Sequence, residues 1–389
     1  MLRSLYSGIS GLRAHQTMLD TTGNNIANVN TAGYKSSSTQ FQDTLSQMTQ
    51  GAAGPRDAAG GGNPAQVGLG VQIAGITTNH SQGSAQSTGR STDMMISGDG
   101  FFVTRQGNQN VLTRAGAFDF DGNGRLVSPE GGIVQGWVAV NGVVPAGGAL
   151  QDITLPRDAV APGAATTAAT VGGNLPSDAA VGTALVQDRE VFGADGSSRT
   201  LTLTFTRTAA GWDVAGSDGA ATGAASLAFA NGAQTGGGAL TVGGIRVDLA
   251  GVTGYADLET VSVTGQDGRA AGMLESYSLG ADGTLTGTFS NGAQRAIAQI
   301  VLGSVANPAG LEKNGGSGYS VTANSGDIRF AAPGAAGLGS ISGGLLEMSN
   351  VDLSQEFTNL IVAQRGFQAN ARIITTSDEV LQELANLKR

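Results

Sequence analysis

Cysteine is absent from all 389 residues. That excludes disulfide staples and thiolate metal sites, so any folded state rests on packing and hydrogen bonds alone. Histidine is nearly absent, with 2 residues, and a zinc cluster built from His15 and His80 is improbable. Basic residues are few: 21 Lys and Arg against 30 Asp and Glu give a net charge of −9. They form no cluster, which argues against nucleic acid and against an anionic membrane surface. No apolar run approaches the roughly 18 residues of a membrane span, so no membrane insertion is expected. Met1 to Tyr6 carries one positive charge and then an amphipathic pattern, so a cleaved signal peptide is not expected. No Gly-x-Ser-x-Gly elbow, P-loop lysine motif or Gly-x-Gly-x-x-Gly fingerprint is present. The chain reads as a non-enzyme without a cofactor.

Glycine is in excess, at 63 residues against 9 prolines. With alanine, serine and threonine it dominates the middle of the chain, where short alternating segments sit between turn signals. These read as strands and hairpins, and an all-β body is the better reading than a low-complexity coil.

Both ends break this pattern. Between Asp352 and Leu387, Leu353, Phe357, Leu360, Gln364, Phe367, Ala371, Ile374, Asp378, Leu381 and Ala385 recur at alternating steps of four and three. The period of about 3.5 is that of a helix seam. Ile373, Val380, Leu384 and Leu387 widen the stripe. Asp352 with Gln355 three residues on gives a capping-box start. Leu2, Leu5, Ile9, Leu12, Gln16, Leu19, Gly23 and Ile26 repeat the same spacing at the N-terminus. The two seams predict terminal helices that pair as a coiled coil. Gly8, Gly11 and Gly23 each cost about 1 kcal/mol in a helix interior, so the first helix needs neighbours to become ordered.

The first helix runs into Gly23-Asn24-Asn25-Ile26-Ala27-Asn28-Val29-Asn30-Thr31-Ala32-Gly33-Tyr34-Lys35. Asparagine favours local backbone bonding over helix, so each of these needs a partner. Gly33 is a candidate helix end. This segment, with Ser4-Leu5-Tyr6-Ser7-Gly8-Ile9-Ser10-Gly11-Leu12, resembles the N-terminal signature of bacterial flagellar rod and hook proteins. Ser349-Asn350-Val351-Asp352-Leu353 and Val362-Ala363-Gln364-Arg365-Gly366-Phe367-Gln368-Ala369-Asn370-Ala371-Arg372 resemble the matching C-terminal signature.

Residues 36–70 read as an irregular connector, with a short helix through Phe41, Leu45 and Met48 and a glycine-rich arm from Gly51 to Gly70. Strand patterns follow in 71–76, 94–103, 111–118 and 132–137, and return in 274–279, 283–289 and 298–302. Between them 151–271 reads as an inserted β-domain. There Arg199–Thr206 alternates strictly and Ile245–Leu249 alternates again. The expected architecture is mixed and mainly β, with discontinuous β-domains set between the helical ends. Its parts are 1–35 with 350–389 (helical), 36–70 (connector), 71–150 with 272–349 (inner β-domain) and 151–271 (outer β-domain).

One stretch fits a metal site. Asp119-Phe120-Asp121-Gly122-Asn123-Gly124, with Glu130 at position 12, matches a calcium loop, but its flanks read as strands and Pro129 precedes the would-be bidentate Glu130. The same residues make tight hairpin turns, which is the preferred reading.

The resemblance implies a structural subunit of the flagellar hook that assembles with itself into a flexible helical tube passing torque from rod to filament. It implies an extracellular location, export through the flagellar type III apparatus, and contacts with the rod, hook-cap and hook–filament junction proteins. Helix packing between subunits would use Leu5, Ile9, Leu12, Leu19, Ile26, Leu353, Phe357, Leu360, Phe367, Ile374 and Leu381. Asn24, Asn25, Asn28, Asn30, Gly33, Tyr34, Gln364, Arg365 and Asn370 are the signature positions. A distal rod protein shares both terminal signatures but generally lacks a large insertion, so 151–271 favours the hook; a secreted β-rich adhesin is a more remote alternative.

Overall fold

The computed structural model describes residues 2–54, 60–145, 147–156 and 158–386. Leu387 of the second helical stripe and residues 55–59 of the expected arm lie outside the described residues. The chain is mainly β, with a helix at each end: α1, Leu2–Ala27, and α2, Leu353–Asn386. Asp352 caps α2, its Oδ1 accepting from the backbone N–H of Ser354 at 2.8 Å and of Gln355 at 3.3 Å. The reciprocal half of the capping box is replaced: the Gln355 side chain donates forward to Asn359.

Contacts divide the chain into two compact units. The first comprises Met1–Leu155, Leu279–Thr286 and Ala296–Arg389, and the second Pro156–Ser278 and Gly287–Arg295.

In the first unit, the hairpin Phe101–Gln106/Gln109–Thr113 is flanked on one side by Ile133–Val138 and Leu302–Ser304, and on the other by Gly318–Ser320. Phe101, Val103, Leu112 and Tyr319 bury against one another beneath it. Two further antiparallel pairs join early and late segments, Met94–Ser97 with Ser340–Gly343 and Ala85–Ser87 with Leu345–Glu347. These pairings bring the chain into α2 close to where it leaves α1.

The expected short helix over Phe41, Leu45 and Met48 does not form, and the flanks of the connector are paired strands, while 51–54 and 60–64 carry only the isolated bridge of Ala53 with Gly62. β1 (Ser37–Asp43) pairs antiparallel with a strand at Val71–Thr78, and β2 (Ser46–Gln50) pairs with β3 (Ala65–Gly68); the Val71–Thr78 strand is β4. Backbone pairing between distant segments prevails here over weak local helix propensity. β1 and β4 lie along α1. Val71 N–H donates to Ser10 Oγ, Thr39 Oγ1 donates to Thr21 Oγ1, and the Phe41 ring packs 5.6 Å from that of His15.

The second unit is a two-sheet sandwich. Ala184–Phe192, Ser198–Arg207, Trp212–Ser217, Thr222–Ala230 and Ala233–Gly236 form an antiparallel meander. Ala239–Val242, Ile245–Thr253, Ala168–Asn174 and Ser262–Gln266 form the other sheet, in which Ala168–Asn174 runs parallel to Ile245–Thr253. The alternation seen in 199–206 has the expected consequence: Leu201, Leu203 and Phe205 are fully buried between the sheets. Gly272–Ser278 and Gly287–Arg295 belong to this unit rather than to an inner β-domain. Met273 pairs with Val160, and Leu274, Phe289 and Ala293 close a small core with Ala161. No local pattern distinguishes a strand of one unit from a strand of the other, which is why the sequence reading misplaced them.

Candidate assembly surface of the terminal helices

α1 and α2 pack antiparallel. The order of contacts shows it: Gly8 faces Ile373 and Ile374, Gly11 faces Asn370, His15 faces Gly366, and Asn25 reaches Glu356. The contact line of α1 is not its leucine seam. Among the described side chains, Gly8, Gly11, Ala14, Thr22 and Asn25 are the buried positions of α1 and Ala363 that of α2. Small side chains let the backbones approach; a Cβ on Gly11 would stand 2.7 Å from Asn370 Oδ1. Gly8 and Gly11, costly in isolation, are therefore what the pairing uses, whereas Gly23 is exposed with no neighbour within 4 Å of a Cβ there.

Leu5, Ile9, Leu12, Leu19 and Ile26 flank that line, half-buried, as do Leu360, Phe367 and Ile374 on α2. Leu353, Phe357 and Leu381 are exposed, together with Ile361, Val362, Ile373, Val380 and Tyr6. Gln364 and Arg365 are also exposed. α2 thus presents apolar side chains that its own chain leaves uncovered, whereas on α1 Tyr6 alone is exposed among the described large apolar side chains. An amphipathic helix gains most of its stability from burying such side chains.

The asparagine-rich segment works as a joint. α1 ends at Ala27, short of the expected Gly33. Asn25 fills all its hydrogen-bonding capacity: Nδ2 donates to Ser37 O and Glu356 Oε1, while Oδ1 accepts from Tyr34 OH and Ser37 N–H. Asn28 Nδ2 donates to Asn24 O and Oδ1, and Asn28 Oδ1 accepts from Thr31. Asn30 is exposed, and Asn370 Nδ2 donates to Gly366 O within α2. Gly33 sits at φ +70, donates its N–H to Glu347 O, and lies so close to the Ala115 backbone that no side chain fits there.

Below the joint is a buried charge cluster that the sequence reading missed. Lys35 Nζ donates to Glu347 Oε1 at 2.6 Å and to Ser81 O at 2.7 Å, with no side-chain exposure on either ionic partner. Glu347 Oε1 also accepts from Gly83 N–H, and its Oε2 from Arg114 at 3.3 Å. Burial pulls the Lys35 pKa below its ordinary value, against the opposing pull of Glu347. His80 packs on Phe101 and Tyr319; burial first, then Lys35, Arg114 and Lys313, lower its pKa to about 4. Burial likewise raises the Tyr319 phenol. Asn350 ties the start of α2 to the same place: its Oδ1 accepts from Ser36 N–H, and its Nδ2 donates to Asn79 O and Ser81 O.

The Asp119–Glu130 loop is a hairpin turn. Asp121 Oδ1 accepts from the backbone N–H groups of Asn123 and Arg125, and its Oδ2 from Arg125 Nε at 2.7 Å. These bonds, the Arg125 backbone first, hold its pKa below the usual carboxylate value. Asp119 pairs with Arg90, and Glu130 lies against Gly316. Among the described residues no group of three or more His, Asp or Glu is placed to hold a metal ion.

A chain whose two ends return to one another as paired helices, with apolar side chains of the second left uncovered and β-units inserted between the ends in sequence, defines a helix-ended assembly subunit. Comparison with known proteins gives the particular kind. The family model described as flagella basal body rod protein matches residues 5–35, that of the flagellar hook protein FlgE/F/G D1 domain matches 95–170, and that of the flagellar basal body rod FlgEFG protein C-terminal region matches 342–387. The flagellar hook protein FlgE of Borreliella burgdorferi is 38% identical over 444 residues, and that of Treponema pallidum 37% over 463, each covering 100% of both chains. The flagellar basal-body rod protein FlgG of Bacillus subtilis is 34% identical over 390 residues, again with 100% of both chains covered. The chain belongs to the flagellar rod and hook protein family, and its function is that of a structural subunit of the flagellar hook.

Proposed function

We propose that this subunit builds a flexible helical tube by packing its paired terminal helices against those of neighbouring copies, and that the tube passes torque from rod to filament. The observation that carries this reading is the apolar side chains that α2 leaves uncovered: Phe357 and Ile361 on one face, and Val362 and Val380 on another, are between 39% and 52% exposed. Apolar side chains exposed in neighbouring turns of a helix are normally covered by a partner. A contact between unlike faces repeats without closing and generates an open helix. Leu353, Phe357 and Leu381 join that intersubunit contact, while Leu360, Phe367 and Ile374, with Leu5, Ile9, Leu12, Leu19 and Ile26, flank the pairing within one chain. Export by the flagellar type III apparatus, an extracellular position in the hook, and contacts with the rod, hook-cap and hook–filament junction proteins complete the proposal. No catalytic role is included, because the acidic turns are engaged by backbone and arginine.

Electron microscopy of cells lacking the chain provides the test. Rods that end without a hook support the proposal; normal hooks on such cells refute it, and loss of the distal rod itself transfers the chain to a rod role.

A further inference from the structure

Asparagine followed by glycine is a chemically labile pair, because a residue without Cβ lets its backbone nitrogen reach the asparagine side-chain carbon. The pair stands at 123–124, 141–142, 231–232, 291–292 and 314–315, in unlike surroundings.

Two of the pairs are restrained by hydrogen bonds. Asn291 Nδ2 donates to Ala270 O at 2.7 Å, its Oδ1 accepts from Ala293 N–H at 3.0 Å, and Gly292 N–H donates to Phe289 O. Gly124 N–H donates to Asp121 O at 3.0 Å, inside the turn that Asp121 closes with Arg125. A backbone N–H engaged in this way is not free to give up its proton and attack. Asn141 and Asn231 open two-residue hairpin turns, held at φ 54 and 53 by the pairing on either side. Gly232 is also buried against the Tyr255 ring.

Asn314 and Gly315 have none of these restraints. Both are exposed, and among the described residues neither the Asn314 side chain nor the Gly315 N–H has a hydrogen-bond partner. A Cβ on Gly315 would meet nothing within 4 Å. Gly315, Gly316 and Ser317 follow one another at φ 81, 52 and 59, and the two glycines keep wide conformational freedom. The turn is anchored to the end of α1 on both sides: Lys313 Nζ donates to Lys35 O and Ser37 Oγ, and Ser317 Oγ donates to Ala32 O.

We propose that Asn314 is the first residue of the folded chain to deamidate. The Gly315 nitrogen attacks Asn314 Cγ; the N–Cγ bond forms, the Cγ–Nδ2 bond breaks, and the Gly315 proton leaves with the amide as ammonia. Water then opens the cyclic imide. Opening at Cγ gives aspartate, and opening at the backbone carbonyl gives isoaspartate. Either product adds a negative charge, and isoaspartate also inserts a methylene into the backbone between the Lys313 and Ser317 anchors.

The test follows the unassembled full chain, held warm in mildly alkaline buffer, sampled over time, digested with an acid protease and mapped by mass spectrometry. Each reacted site is read as OH in place of NH2. In the folded chain Asn314 is expected to react at least tenfold faster than Asn123 and Asn291, and ahead of Asn141 and Asn231. In concentrated urea the sites are expected to become alike, because glycine follows each of them. Asn314→Gln is expected to remove the earliest acidic species from an isoelectric gel. Equal rates at Asn314 and Asn291 in the folded chain overturn the proposal. So does the same spread of rates in urea, which would make local sequence rather than the fold responsible, and so does an early acidic species that persists in Asn314→Gln.

Discussion

Lys35 and Glu347 stand 312 positions apart in the chain and meet in a 2.6 Å ion pair closed to solvent. Around that pair the exit from α1 and the approach to α2 are fastened to the same β-strands. The Asn25–Glu356 hydrogen bond, across 331 positions, repeats the fastening one step further along the helices. Two chain ends held this way present one composite surface.

Removing one member of the pair leaves a buried charge with incomplete compensation. Lys35→Met is expected to destabilise the first unit by about 3–5 kcal/mol. The double variant Lys35→Met/Glu347→Leu is expected to lose less than the sum of the two single changes, although Arg114 then loses its carboxylate. Urea unfolding of the unassembled chain measures both, and strict additivity would show that the pair is not coupled.

Gly11→Val tests the small-residue contact line. The added side chain meets the Asn370 amide, which must be displaced from the contact line along with the hydrogen bond it makes to Gly366 O. Lower helix content in the monomer and loss of polymer are expected, read by circular dichroism and electron microscopy. Polymers that form normally would remove Gly11 from the packing argument.

Phe357→Ser/Ile361→Ser acts on the outward face only. Both residues are exposed, so monomer stability is expected to stay within about 0.5 kcal/mol of wild type. Assembly, followed by sedimentation, is expected to fail. Intact assembly together with an unchanged monomer would place the subunit contact elsewhere.

His80 predicts a pH dependence with a definite sign. Its folded pKa of about 4 lies below the ordinary value of 6.5. Between those values the unfolded chain binds more protons than the folded one, so stability rises with pH across the window. The contribution is complete above about pH 6.5 and is lost as pH falls towards 4, on the order of 1 kcal/mol after allowance for partial solvent access. Melting temperatures between pH 4 and 7 should fall on acidification, and His80→Phe should flatten that part of the profile. An unchanged slope in the variant would assign the effect to carboxylates.

Leu203→Ala probes the second unit. Leu203 is fully buried between the two sheets, and the cavity is expected to cost about 2–5 kcal/mol. Calorimetry should show an early transition for this unit while helix-driven polymerisation persists.

Periodicity alone located both terminal helices, the β body and the alternating strand at 199–206, because burial of one face writes a repeat into neighbouring residues. Signature residues at the two ends pointed to the family on the same local information. Tertiary structure decided what periodicity does not encode. It made paired strands of 37–50 and 65–78, since cross-strand hydrogen bonds join residues whose own neighbours are uninformative. It chose glycine and alanine over leucine for the contact between α1 and α2, because close backbone approach is a property of two surfaces together. It also brought Lys35, Arg114 and Glu347 into one buried cluster, and no spacing rule links positions so far apart in the chain.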